Sequence, residues 1–219
     1  MRLVSLNIGK PRQVDTPRGP VLTAIWKFPI EGRAAVRRYN IEGDQQADLR
    51  VHGGEFKAIY LYPLEHYEYW RAELPGMELS PGAFGENLTT EGLLESEVSI
   101  GDRFRIGTTV LQVSQPRMPC FKLALKFGRP EMVKRFWRSG RSGVYFSIVE
   151  EGELGAGDEI VSVSRVTNGI TVAELCQLYR SPDPDPARIL VALNAPLGGS
   201  WKTELRDRMH GADVNPSAL

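Results

Sequence analysis

The sequence predicts a mainly β fold of α+β character: a barrel or sandwich with short helical insertions, followed by a small three-helix domain. Three observations carry this reading. Short runs rich in Val, Ile, Tyr and Phe, bounded by Gly and Pro, recur through roughly the first 165 residues. Apolar residues at helical spacing interrupt those runs twice. After Val166 the pattern changes to three capped helical segments, which divides the chain into residues 1–166 and 167–219.

RLVSLNI (2–8) and VLTAIWKF (21–28) are the first strands. AIYLYP (58–63) is apolar throughout, as a strand buried on both faces requires. PLEHYEYWRAEL (63–74) is the first helix, with Pro63 in its first turn and Leu64, Tyr67, Arg71 and Leu74 on one face. GAFGENLTTEGL (82–93) reads as a long, glycine-punctuated connection to the next β unit. DRFRIGTTVLQVSQ (102–115) gives two strands around Gly107-Thr108. CFKLALKFGRPEMVKRFW (120–137) gives two helical pieces broken at Gly128 and Pro130. VYFSIV (144–149) and EIVSVSRV (159–166) complete the strands. In TVAELCQLYR (171–180), Thr171 and Glu174 form a capping box. PARILVALNA (186–195) has Asp185 as cap and Pro186 at the first helical position. SWKTELRDRMHG (200–211) starts at Ser200 and stops at a glycine.

Composition narrows the class of function. Lys plus Arg and Asp plus Glu are each 27, so the formal net charge is zero and nothing global favours nucleic acid or an anionic membrane surface. The opening MRLVSLNIGKPRQ lacks a continuous apolar stretch, and no run of about 18 apolar residues follows. Two cysteines 56 positions apart make no disulfide framework. The expectation is a cytoplasmic protein. No nucleophile elbow, Walker-type phosphate loop or HExxH zinc motif is present, and His52, His66 and His210 show no zinc spacing with the cysteines.

The candidate chemistry begins with the cysteines. Cys176 shares an apolar helix face with Val172, Leu175 and Tyr179 and reads as core. Cys120 differs. QPRMPCFK (115–122) ends a strand at Gln115, turns through Pro116 to Met118 and starts a helix at Pro119. Cys120 then falls in the first helical turn, between Arg117 and Lys122, where a thiolate is favoured. A buried cysteine in a β-to-α turn is the alternative, and the local residues leave both open. VHGGEFKAIY (51–60) places His52 and two glycines before a strand, and Asn87 lies in the glycine-rich GAFGENL. Taken alone, both fit ordinary turns, and Lys27 is an ordinary lysine.

Together, IEGDQQADLRVHGGEFKAIYLYPLEHYEYW, GAFGENLTTEGLLESEVSIGDRFRIG and LQVSQPRMPCFKLA resemble the MOSC-domain family, named for the C-terminal domain of molybdenum cofactor sulfurase. The resemblance is greatest to its YiiM-type subgroup, in which a three-α domain follows, and it spans essentially the whole chain. It implies a β-barrel with a positively lined cleft for a pterin-type molybdenum cofactor. Cys120 matches the family's molybdenum-ligating cysteine. Arg117 and Lys27 match positions that hold the cofactor's phosphate and pterin. His52 and Asn87 match cleft positions, with Asp44 and Lys57 as further carry-overs. Where the family often has Ser before the second proline this chain has Met118, so no hydroxyl is offered there.

The resemblance also implies an activity: reduction of N-hydroxylated compounds such as 6-hydroxyaminopurine, hydroxylamines and amidoximes. Such reduction consumes two electrons and two protons. No flavin, nicotinamide or iron–sulfur motif is present, so the implied electron donor is a separate reductase or ferredoxin-like protein. The alternative is a carrier of the cofactor, or of sulfur as a Cys120 persulfide, without catalysis of its own. A pyridoxal-phosphate association also attaches to the family, but nothing here resembles the fold and Schiff-base lysine that such chemistry uses.

Overall fold

The computed structural model describes residues 1–48 and 53–209. Its strands are β1 (Arg2–Ile8), β2 (Arg12–Val14), β3 (Val21–Thr23), β4 (Phe28–Pro29), β5 (Arg33–Arg37), β6 (Asn40–Ile41), β7 (Ile59–Pro63), β8 (Leu88–Glu91), β9 (Arg103–Ile106), β10 (Thr109–Pro116), β11 (Val144–Glu150), β12 (Gly152–Gly155) and β13 (Ile160–Ser164). Its helices are α1 (Glu65–Glu73), α2 (Phe121–Phe127), α3 (Met132–Ser139), α4 (Val172–Arg180), α5 (Pro186–Asn194) and α6 (Gly199–Met209). The architecture is α+β, as expected. Eight strands form one mixed sheet in the order β13-β9-β10-β11-β7-β8-β1-β4, with a three-stranded sheet β12-β5-β6 and the ribbon β2-β3 beside it.

The large sheet curls until β1 meets the chain just ahead of β13. Met1 O accepts from Ile160 N at 3.0 Å, Leu3 N donates to Asp158 O at 2.9 Å, and Arg2 bridges Glu159. The barrel is therefore a curled sheet sewn at one short seam, not a ladder that continues all the way round. Farther along β1 the edge opposite β8 is taken by β4: Asn7 pairs with Pro29, Ile8 with Phe28, and Ile30 N donates to Leu6 O at 2.9 Å.

The remaining departures from expectation surround the prospective site. The strand expected over 21–28 is broken into β3 and β4, and Ala24–Lys27 between them is not extended into a ladder. Pro63 ends β7 instead of opening α1. GAFGENL does not lead only to turns: Leu88–Glu91 is β8, which pairs with β7 in parallel. A parallel pair needs a crossover, and α1 with the glycine-rich loop supplies it. The helix after QPRMP begins at Phe121, so Cys120 is its N-cap and Pro119 lies outside it.

Two cores support these elements. The larger joins Leu3, Leu6, Ile59, Phe104, Leu111 and Phe146 of the sheet to Val172, Leu175, Ile189 and Leu205 of α4–α6. The second lies under α1, α2 and α3 and is mostly aromatic. There Trp70 stacks on Phe136 at 5.9 Å between centroids, and Trp70 Nε1 donates to the Tyr62 hydroxyl at 2.7 Å. Leu123 and Phe127 anchor α2 in this cluster, which fixes the helix that Cys120 caps. Among the described residues no helix is long and apolar enough to cross a membrane.

Candidate functional site

A cleft opens where five segments converge: residues 23–27, 44–47 and 53–57, the GENL loop, and the turn from β10 into α2. Lys27, Asp44, Lys57, Asn87, Arg117 and Cys120 all line it. They are spread over more than ninety positions of sequence, and the fold gathers them. His52 lies outside the described residues; its neighbour Gly53 is on the cleft wall.

Cys120 is partly exposed and in no disulfide. Its extended backbone (φ −125°, ψ 170°) is that of a residue just outside a helix. Helix α2 has only seven residues, so its dipole is a weaker source of positive charge here than the side chains. Lys57 and Arg117 both interact electrostatically with the thiol. Burial pushes Lys57 below its ordinary value, and Cys120 works against that shift.

Lys27 and Asp44 form a buried ion pair, 8% and 1% exposed at the side chain, and Asp44 Oδ1 also accepts from Gly9 N at 2.8 Å. Burial pushes the Lys27 ammonium down, while Asp44, with Glu86 adding to it, pulls it back up. Such a pair is worth keeping only when both charges are well bonded, and Asp44 is. Asn87 serves the fold as much as the cleft. Its Oδ1 accepts from Tyr60 N at 3.2 Å and its Nδ2 donates to Asn7 O at 3.3 Å. This clasps β1 and β7 on either side and leaves one N–H of the amide for a ligand.

Arg117 is the most informative residue. Its guanidinium lies 4.9 Å from the Tyr60 ring and 5.2 Å from Phe136, and the residue is 6% exposed. Nη1 is buried without a hydrogen-bond partner. Buried charged donors are normally satisfied, yet among the described residues this nitrogen has no acceptor. Tyr60 and Tyr145 also line the cleft. Burial pushes the Tyr60 hydroxyl well up and the Tyr145 hydroxyl up, against the influence of Arg117, so both stay neutral, and Tyr60 Oη donates to Ser142 O at 2.9 Å. In the sequence both are only strand residues, since a buried tyrosine on a β-strand carries no separate signal. Lys122, buried and on the cleft wall, is legible there only as local charge. Met118 is half-buried, lines the cleft and packs on the larger core, which accounts for an apolar residue there.

The charge balance of the described lining is Lys27, Lys57, Arg117 and Lys122 against Asp44 alone, in a chain of zero net charge. That excess of positive charge favours an anion. Among the described residues no three His, Cys, Asp or Glu side chains gather as a metal site. A metal here would therefore rely on Cys120 and on donors of its own cofactor. A pterin cofactor that carries both phosphate and metal-binding sulfurs fits this set.

The MOSC domain family model matches residues 48–161, and the chain belongs to that family. Within it, the chain is of the YiiM type. It superposes on the crystal structure of YiiM from Geobacillus stearothermophilus with a TM-score of 0.80 and 35% identity, covering 95% of this chain and 98% of that one. It is 47% identical to the uncharacterized protein YflK of Bacillus subtilis over 94% of this chain and 95% of YflK. It is 37% identical to a protein named reductase from Gibberella moniliformis, over 67% of this chain and 27% of that longer protein.

Cys176 is core, as its helix face requires. It is 1% exposed, burial pushes its thiol up to about 12, and its Sγ lies 3.8 Å from Ser142 Oγ. The native protein should therefore react with one equivalent of a disulfide thiol reagent at pH 8, at Cys120. The second equivalent should appear only in denaturant. Two fast equivalents without denaturant would contradict the burial of Cys176.

Proposed function

We propose that this protein binds a pterin-type molybdenum cofactor and reduces N-hydroxylated compounds with electrons from a separate donor protein. The observation that carries the reading is the unpaired, buried Nη1 of Arg117 beside Cys120 in a cationic cleft. The reductase name of one relative points the same way.

Cys120 would hold the metal through its thiolate, a soft ligand. Arg117 would take the cofactor phosphate by a charge-assisted hydrogen bond, and its planar guanidinium is kept in place by the Tyr60 and Phe136 rings. Lys27 would hold the pterin end, kept charged and oriented by Asp44. When bound, the molybdenum centre supplies the two-electron chemistry that removes oxygen from an N–OH group. The chain itself contributes position and charge. Lys57 and Arg117 stabilise negative charge at the thiol, and Met118 presents an apolar surface that displaces water from one wall. His52 matches a cleft position by resemblance. The split into a barrel domain, residues 1–166, and a helical domain, residues 167–219, belongs to the same proposal.

The test is metal and pterin analysis of protein made in a cofactor-producing host, beside Cys120→Ser. Wild type is expected to carry molybdenum and pterin together and, with a chemical reductant, to convert 6-hydroxyaminopurine to adenine. Cys120→Ser is expected to lose the bound molybdenum and at least about 1,000-fold in rate, the scale for loss of an essential nucleophile or ligand. Turnover that persists in Cys120→Ser would overturn the thiolate role. Bound cofactor that is passed to an apo-acceptor, with no turnover, would make the protein a carrier.

A further inference from the structure

Six residues beyond Cys120, on the same helix, lies a lysine that no motif singles out. Lys126 Nζ donates to Gly82 O at 2.6 Å and to Ile25 O at 3.2 Å. These carbonyls belong to two different walls of the cleft, the GAFGEN loop and the segment between β3 and β4. The two walls meet backbone to backbone. At Gly82 (φ +84°) an added Cβ would come within 2.6 Å of Lys27 O, and at Gly85 (φ +81°) within 2.9 Å of the Ile25 side chain. Lys126 is thus the side chain that ties both walls to the helix capped by Cys120.

Its surroundings are equally unusual. The charged groups that act on it are Glu86 from the GENL loop, Arg117 from the turn before α2, Lys27 from the segment after β3, and Arg12 from β2. Among the described residues, one carboxylate faces three cations.

We propose that Lys126 is a positioning residue that braces both walls against the Cys120 helix and lends the cleft a removable positive charge. The pull on an anion at Cys120 then weakens as Lys126 loses its proton. The inference rests on the reading of the cleft as an anion site, and on nothing in the redox chemistry. Burial pushes Lys126 down to about 8; Arg117, Lys27 and Arg12 push the same way, and Glu86 opposes them. Below about pH 8, then, the ammonium is present and the anion is favoured; above it the charge is gone. A neutral amine keeps two N–H groups, enough for both carbonyls, so the brace survives while the charge does not.

Alkylation of Cys120 tests this without metal or cofactor. Iodoacetate is an anion and iodoacetamide is neutral, and both react with the thiolate. The ratio of their rates, read by mass spectrometry, cancels the ionisation of the thiol and reports the local potential. Six residues of helix rise roughly 9 Å along the axis, and for charges at about that spacing the wild-type ratio is expected to fall about three- to tenfold between pH 7 and 9.5. Lys126→Arg should retain a high ratio at pH 9.5, and Lys126→Met should show a low one already at pH 7. Deprotonation of Lys27 or Lys57 would appear in all three proteins, so the difference between them is what counts.

A flat wild-type profile would overturn the proposal. So would a Lys126→Arg profile that falls as the wild type does, and this comparison stands even if Lys126→Met does not fold. Because the labelling needs no metal, the expected pattern in a protein without reductase activity would sink the proposed reaction and leave this inference intact.

Discussion

Glu86→Ala is expected to cost about 4 kcal/mol of stability, the scale for removing one member of a buried, fully bonded charge network. Glu86 is wholly buried in the GENL loop. Its Oε1 accepts from the Tyr67 hydroxyl, from Gly82 N at 2.8 Å and from Thr89 Oγ1 at 2.9 Å, and its Oε2 accepts from Phe84 N at 3.0 Å. Alanine leaves Gly82 N, Phe84 N and Thr89 Oγ1 without that acceptor, each costing about 1–3 kcal/mol if it stays dry, less whatever relaxes toward water, while the Tyr67 hydroxyl keeps Ser80 O at 3.3 Å. The carboxylate is also a counter-charge to Lys27 and Lys126. For a chain of this length a loss of 4 kcal/mol lowers the melting temperature by about 10 °C. Glu86→Gln, which keeps one acceptor oxygen, should cost about half as much. Calorimetry checks both, and a shift under about 2 °C for Glu86→Ala would remove the carboxylate from its place at the centre of the loop.

Arg117→Met separates holding a ligand from holding the fold. The substitution should weaken binding of the phosphate-bearing cofactor about 100-fold, the loss of one or two charge-assisted hydrogen bonds at about 1.5–3 kcal/mol each. The protein without ligand should change little in stability, or gain. The cation–π contacts with Tyr60 and Phe136 are lost, at about 1 kcal/mol. In exchange, methionine packs on the same rings and a buried charged donor without a partner disappears. Pterin retained after gel filtration, measured beside a thermal melt, reads both effects. Parallel loss of stability and pterin would make Arg117 a structural residue.

The parts of this molecule that sequence reveals are those whose causes are local. The boundaries of β1 follow from its own apolar run, the turn at Gly107-Thr108 from its own residues, and the starts of α4 and α5 from Thr171, Glu174 and Asp185, which bond as capping residues do. Cys120 and Arg117 are legible for the same reason: they are three positions apart. Causes that act at a distance are not. The break at Ala24–Lys27 arises because Gly9 and Gly82 bring other backbones against it. The pairing of Lys27 with Asp44 spans 17 positions and has no sequence signature. The strands β5, β6 and β12 are short and largely polar or small, so alternation has little to act on. The cationic cleft comes from a family resemblance first, and only the geometry turns it into a physical statement about an unmatched donor.

The seam between the first residues and residues 157–160 has a consequence for how the molecule is made. On a ribosome, β1 emerges before its partners. Its partner β8 follows some 85 residues later, and the strip that Met1 and Leu3 join is synthesised only at Asp158–Ile160. Residues 1–3 must therefore wait for their seam partners until Ile160 is made, whereas Leu6–Ile8 on the same edge can pair with residues 28–30 early; at about 5–20 residues per second that wait is long. Contacts so distant in sequence are slow to form. The brevity of the seam is then an advantage: a few hydrogen bonds close the ring once the last strand arrives, and little bare edge is offered to a neighbouring nascent chain in the meantime.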